Sequence, residues 1–261
     1  GTTQGAATIF VTAQYTKNAD GTSSWKAGYT TAEPASTDNS YLGKLTMGTD
    51  GSYKFELVNT TNDNSAANRM GEGATLDLTF TPAVHDGTGY NVQGSSVPTI
   101  TITVNGSNEA PTIKSAAWGT SGDTLVETGF NVAGTAKIIG SFKAEDVDAG
   151  DKLTYSLALG GTESANFDGA KLYSVLYLVK DDKGGIKLTT AVGNDGDANY
   201  YGKVSINQSG NYTVDLFNNS EAVQELKGDG STDKTFSFTM AAQDNHGAYV
   251  TQTVEGKIKG S

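Results

Sequence analysis

Residues 146–151 read D-V-D-A-G-D. Three carboxylates within six residues repel one another at neutral pH unless a cation or hydrogen-bond donors lie between them. In an extended loop alternate residues face the same way, so Asp146 and Asp148 fall on one side, and Gly150 permits a sharp turn before Asp151. Hard oxygen donors of this kind suit calcium, which takes about six to eight oxygen ligands, more than one short peptide supplies. Two readings of the run stand. One is a cation site completed by other loops. The other is an ordinary polar loop whose Asp side chains bond nearby backbone N–H groups. A second run, N-D-G-D-A-N at 194–199, has the Asp-x-Asp-x-Asn spacing of a calcium loop through Asp195, Asp197 and Asn199. It lacks the glycine and the twelfth-position glutamate of an EF-hand, so a surface loop is its alternative reading.

Other chemistry finds less support. His85 and His246 sit beside Asp86 and near Asp244, but catalysis needs a base oriented by a carboxylate and a nucleophile within reach. No G-x-S-x-G and no H-E-x-x-H occurs, and the glycine-rich stretches do not follow a strand and open a helix. The chain is expected not to be an enzyme. Trp25 with Tyr29, in S-S-W-K-A-G-Y, is the first candidate for a sugar platform.

Composition narrows the class. The chain has 261 residues, 36% of them hydrophobic, enough for about two domains with real cores. Asp and Glu number 29 against 18 Lys and Arg, for a net charge of −11. That balance argues against nucleic acid and anionic membranes, which reward basic patches, and fits a surface that meets divalent cations. There is no cysteine, no apolar run approaching the ~20 residues of a membrane span, and no signal peptide at the start. The chain reads as an excised piece of a longer protein.

The elements that must position these residues are strands. Short alternating runs recur, as in A-T-I-F-V-T-A-Q-Y (7–15), T-L-D-L-T-F (75–80), N-Y-T-V-D-L-F (211–217) and T-F-S-F-T-M (235–240). Turn residues separate them, and two stretches, 65–70 and 221–226, suit single helical turns. The chain also repeats itself. Y-L-G-K-L-T-M-G-T-D-G-S-Y-K-F-E-L (41–57) aligns with Y-Y-G-K-V-S-I-N-Q-S-G-N-Y-T-V-D-L (200–216), and the segments that follow keep the same order. The fold expected is all-β: two tandem antiparallel β-sandwich domains, 1–112 and 113–261. Residues 113–160 have no clear counterpart in the first half, which is either cut at its N-terminus or divergent. Between the halves lies N-G-S-N-E-A-P-T-I (105–113), a polar joint in which Pro111 restricts the chain.

The order G-S-F-K-A-E-D-V-D-A-G-D-K-L-T-Y-S-L, Y-G-K-V, G-N-Y-T-V-D-L, L-K-G-D-G, then F-S-F-T-M-A-A-Q-D-N-H-G and T-V-E-G resembles the VCBS or cadherin-like repeats of giant bacterial adhesins. These are RTX-type chains exported by type I secretion, and their boundary phrase N-D-A-P is similar to N-E-A-P here (108–111). The resemblance implies calcium at the joint. Its ligands would be Asn105, Asn108 and Glu109 from the joint, Asp146, Asp148 and Asp151 from the following loop, Asp244 from A-A-Q-D-N-H-G, and Asp86 from the preceding domain. Glu127 matches an acid that serves the joint at the far end of its own domain. Glu109 stands where the family has Asp, and Asn105 where a cadherin has Asp, so fewer charges would bind the ion more weakly.

The function this implies is structural: a secreted, calcium-stiffened extender of a cell-surface adhesin in cell adhesion and biofilm, with neighbouring repeats of the same longer chain as partners. Type I secretion would also explain the absence of cysteine. One alternative is a binding module for a host or surface glycan or for another copy of itself. The other is a polysaccharide-active enzyme, which would need paired carboxylates at a glycosidase separation.

Overall fold

A computed structural model describes residues 7–19, 23–58, 65–83, 98–117, 123–129, 133–159 and 172–261. These residues are almost entirely β, in antiparallel sheets, as the alternating runs require. No helix among them is long and apolar enough to cross a membrane. The chain divides into two compact units. One comprises Gly1–Glu109 with Val147–Asp151, the other Ala110–Asp146 with Lys152–Ser261.

In the first unit, β1 (Ala7–Lys17), β2 (Ser23–Thr30), β3 (Tyr41–Met47) and β4 (Tyr53–Leu57) form an antiparallel sheet of order β2-β1-β3-β4. β5 (Thr75–Phe80) pairs with β6 (Ile100–Asn105). The T-L-D-L-T-F run alternates in fact as in sequence: Leu76, Leu78 and Phe80 are buried, while Thr75, Asp77 and Thr79 face solvent. Their partners in one apolar cluster include Val11, Leu42, Leu45 and Val104. The 65–70 stretch forms a helical turn, with the Arg69 N–H donating to the Ser65 carbonyl at 3.1 Å, and it adds Ala66 and Met70 to that cluster.

In the second unit, β7 (Thr112–Ala117), β9 (Lys137–Glu145), β12 (Val175–Lys180), β13 (Ile186–Thr189), β14 (Tyr200–Ile206) and β15 (Asn211–Leu216) form a sheet of order β13-β12-β14-β15-β9-β7. β8 (Thr124–Val126), β10 (Thr154–Ala158), β11 (Leu172–Tyr173), β16 (Lys234–Gln243) and β17 (Tyr249–Lys259) form another, of order β11-β10-β16-β17-β8, in which β8 and β17 run parallel. One core draws on both, with Ile138, Val204 and Tyr212 from the first and Leu157, Phe238 and Met240 from the second. The 221–226 stretch supplies α1 (Glu221–Gln224), capped by the buried Ser220, whose hydroxyl accepts the Val223 N–H at 3.3 Å.

The sequence repeat is a structural repeat. Strands β2-β1-β3-β4 and β13-β12-β14-β15 follow the same order. Both carry the same bulge. Along β1 the partner jumps from Gly43 to Tyr41, passing over Leu42; along β12 it jumps from Gly202 to Tyr200, passing over Tyr201. The residue passed over points into the core each time, with Leu42 0% and Tyr201 1% exposed. The glycine beside it is needed in both. A Cβ on Gly43 would lie 2.5 Å from the Glu56 carbonyl oxygen, and one on Gly202 would lie 2.2 Å from that of Asp215.

Candidate cation site

The loop between β9 and β10 carries D-V-D-A-G-D. Its turn is closed by the Asp151 N–H donating to the Asp148 carbonyl at 3.2 Å, and Gly150 takes φ +105°, a left-handed conformation that side chains disfavour. Asp146, Asp148 and Asp151 each offer a carboxylate oxygen, all within 4.8 Å of one another. Alternation along the loop and the turn at Gly150 therefore do gather the three acids.

Within the first unit, which includes Val147–Asp151, several strands of chain meet Asp148. The Glu109 N–H donates to Asp148 Oδ2 at 3.0 Å, and the Ala149 N–H donates to the Arg69 carbonyl at 3.0 Å. Two glycines allow so close an approach. A Cβ on Gly71 would stand 3.1 Å from the Asp148 side chain, and one on Gly106 would stand 1.9 Å from the Met70 carbonyl oxygen. Asp148 is 4% exposed, a depth at which a carboxylate requires donors or a cation.

Four oxygens of these segments are withdrawn from solvent: Asn108 Oδ1, Glu109 Oε2, Asp146 Oδ2 and Asp148 Oδ1. Glu109 Oε1 accepts the Ser107 hydroxyl at 3.1 Å, while Glu109 Oε2 has no hydrogen-bond partner among the described residues. Leaving a carboxylate oxygen buried and unsatisfied is costly. The donor set is entirely oxygen, which fits a hard divalent cation such as calcium and not a soft one.

The other expected ligands stand as follows. Asn105 ends β6, opposite Thr75. Asp244 follows β16 and is 5% exposed; its Oδ1 accepts the N–H groups of His246 at 2.8 Å and Ala248 at 2.9 Å, which closes the A-A-Q-D-N-H-G turn. Asn245 of that turn accepts the Lys152 N–H at 2.8 Å, tying it to the start of β10's approach within the second unit. Glu127 is 6% exposed at the other end of that unit, where its Oε2 accepts the Ser261 N–H at 3.4 Å. Asp86, and His85 beside it, lie outside the described residues.

Residues 194–199 have local employment. Asp195 accepts both the backbone N–H and the side-chain amide of Asn219, at 2.8 and 2.7 Å. Asp197 accepts the Asn194 N–H at 2.7 Å, and the Asn199 carbonyl accepts the Lys180 N–H at 2.8 Å. Trp25 is half-buried: its ring packs on Tyr15 at 5.5 Å, and the Arg69 guanidinium lies 5.9 Å over it. Tyr29 is 48% exposed, packs edge-on against Phe80 and accepts the Thr79 N–H at 3.1 Å. The residues that sequence reasoning missed are Arg69, Gly71 and Gly106. They act through a carbonyl and through missing side chains, and a motif records neither.

The chain matches no family model and no curated protein.

Proposed function

We propose that the chain is a pair of tandem β-sandwich repeats from the extender region of a secreted bacterial surface adhesin, and that calcium orders the segment between them. The observation that carries the reading is the set of acids on and around residues 146–151: three carboxylates within 4.8 Å, with the buried, unsatisfied Glu109 Oε2 on the segment bonded to Asp148. Calcium would be held by Asp146, Asp148, Asp151 and Glu109, with Asn108 as a neutral oxygen donor. Asp244, Asn105 and Asp86 complete the proposed ligand set. An ion there neutralises the repulsion among the acids and fixes the polar N-G-S-N-E-A-P run, so that a flexible stretch becomes a stiff one.

The repeated sheet order and repeated bulge support a tandem extender, since each copy rebuilds the same framework from a different sequence. Thermal unfolding in calcium, in magnesium and in chelator tests the proposal. An ion bound only by the folded state stabilises by mass action, about 2.7 kcal/mol at one hundred times its dissociation constant. The expected result is a calcium-specific rise in Tm. Melts that overlay in all three conditions would remove calcium from the account.

A further inference from the structure

Asn105 and Gly106 form the one Asn-Gly step of the chain, and such a step carries a reaction of its own. The Gly nitrogen attacks the side-chain carbonyl carbon of Asn, the side-chain amide leaves as ammonia with the proton from that nitrogen, and a cyclic imide remains. Water then opens the imide. Opening at one carbonyl gives aspartate. Opening at the other gives isoaspartate, in which the main chain runs through the former side chain and gains an atom. One water is consumed, one ammonia is released, and nothing is oxidised or reduced. Glycine favours the attack because no side chain shields its nitrogen and no Cβ limits its backbone.

The first unit presents one half of this chemistry and withholds the other. Asn105 ends β6 opposite Thr75, and it is exposed to water. Its reaction partner is engaged. The Gly106 N–H donates to the Ala74 carbonyl at 2.9 Å, one step beyond the last β5–β6 pair. The nitrogen must give up that proton to attack, and the hydrogen bond holds the proton in place. Gly106 is also wedged. A Cβ on it would stand 1.9 Å from the Met70 carbonyl oxygen and 2.3 Å from that of Gly71. Its backbone cannot swing toward the Asn105 side chain unless those carbonyls, or the start of β5, move away.

We propose that Asn105 is a deamidation site that the end of the β5–β6 ladder keeps shut, and that the reaction runs only through states in which the bond from Gly106 to Ala74 has opened. Strand ends open locally at lower free energy than whole units unfold. Opening and closing are fast against a reaction of this kind, so its rate follows the population of the open state. Isoaspartate then makes the opening one-way. The extra main-chain atom falls beside Gly106, where the Met70 and Gly71 carbonyls already leave no space, and next to the buried Val104. Asn105 becomes a chemical record of how often this end of the first unit has opened.

The test incubates the 261-residue chain at mildly alkaline pH, folded and in guanidinium, with chelator throughout so that no ion on Asn105 takes part. Residue 105 is read as Asn, Asp or isoaspartate by mass spectrometry of separated peptides, and exchange at the Gly106 amide is followed by NMR. In guanidinium, Asn105 is expected to convert faster than every other asparagine of the chain. In the folded chain it should convert at least about tenfold more slowly, by a factor close to that which protects the Gly106 N–H from exchange. Leu76→Ala leaves a cavity under β5, where Leu76 is 6% exposed, and should speed both processes together. Guanidinium held below the unfolding midpoint does the same should that variant fail to fold. Equal conversion in the folded and denatured chains overturns the proposal, and so does a denatured chain in which Asn105 is no faster than the other asparagines. Faster Gly106 exchange without faster conversion, in Leu76→Ala or in low guanidinium, overturns the gating. Chains that carry isoaspartate at 105 and refold with full protection over 75–80 overturn the one-way step.

Discussion

Replacing Gly202 by alanine separates the two copies of the repeat by a number. The new methyl would lie 2.2 Å from the Asp215 carbonyl oxygen, 3.2 Å from its carbonyl carbon and 3.3 Å from Leu216 Cα. All three are backbone atoms of β15, and β15 is held on its far side by β9, so no side-chain rotation relieves the contact. Strands β14 and β15 must separate within an interior part of the sheet. Overpacking of this kind costs about 1–3 kcal/mol, and backbone contact on both sides puts Gly202→Ala at the upper end. For a unit of this size that is a fall in Tm of about 5–10 °C. Gly43→Ala makes the matching contact, 2.5 Å from the Glu56 carbonyl oxygen and 2.8 Å from the tip of the Phe55 ring. There the ring can turn and β4 has only β3 beside it among the described residues, so the strand can yield outward at about 1 kcal/mol. The assay is urea unfolding with hydrogen exchange followed separately over 41–57 and 200–216. Equal losses in the two units, or a larger loss for Gly43→Ala, would refute the claim that the edge of β4 is less constrained than that of β15.

Three further outcomes follow from the same geometry. Asp38, Asp50 and Asp229 each accept a hydroxyl and a backbone N–H from the serine two residues on, and Asp181 accepts the N–H groups of Lys183 and Gly185; these bonds hold all four below the usual carboxylate range. A lowered folded-state pKa gives stability that is present above the ordinary range and lost as pH falls through the lowered values, so Tm should decline steadily below about pH 4, and a flat profile there would contradict it. Burial raises the Tyr212 phenol to about 12, and raises those of Tyr41 and Tyr201 as well, so their neutral forms stabilise the fold below the ordinary phenol range and that contribution is lost as pH climbs; ultraviolet titration should show part of the tyrosine signal, Tyr212 included, ionising only with alkaline unfolding, and a signal complete before unfolding would contradict it. Ser220→Ala removes the α1 cap and should cost about 1 kcal/mol, read as a lower urea midpoint for the second unit with Thr as the conservative rescue.

Much of the β framework was legible because its strands are half-covered and therefore alternate. T-L-D-L-T-F and N-Y-T-V-D-L show their buried faces directly in sequence. β12, V-L-Y-L-V-K, hides its period because both of its faces are apolar, and β9 is interrupted by the glycine that must clear Tyr212. The bulge was present as Y-L-G and Y-Y-G but had no reading until pairing showed which residue was passed over. At the candidate site, the gathering of Asp146, Asp148 and Asp151 follows from spacing within one loop. The bond from Glu109 to Asp148 joins residues 39 apart, and the approach of Ala149 to Arg69 depends on a carbonyl. Such long-range backbone contacts leave no residue type behind to be recognised. In 194–199 the residue types suggested a cation loop, while Asp195 holds Asn219 and Asp197 holds its own turn. Asp and Asn serve both purposes with the same atoms.

The most direct test of the proposed function is a calorimetric titration of calcium into the chelator-treated chain, repeated on Asp148→Ala and Glu109→Gln. The account predicts saturable binding by the unaltered chain. It also predicts binding abolished by Asp148→Ala and weakened about tenfold by Glu109→Gln, since calcium affinity follows the number of carboxylates in the site. Absence of calcium binding, or binding that survives Asp148→Ala unchanged, would contradict it.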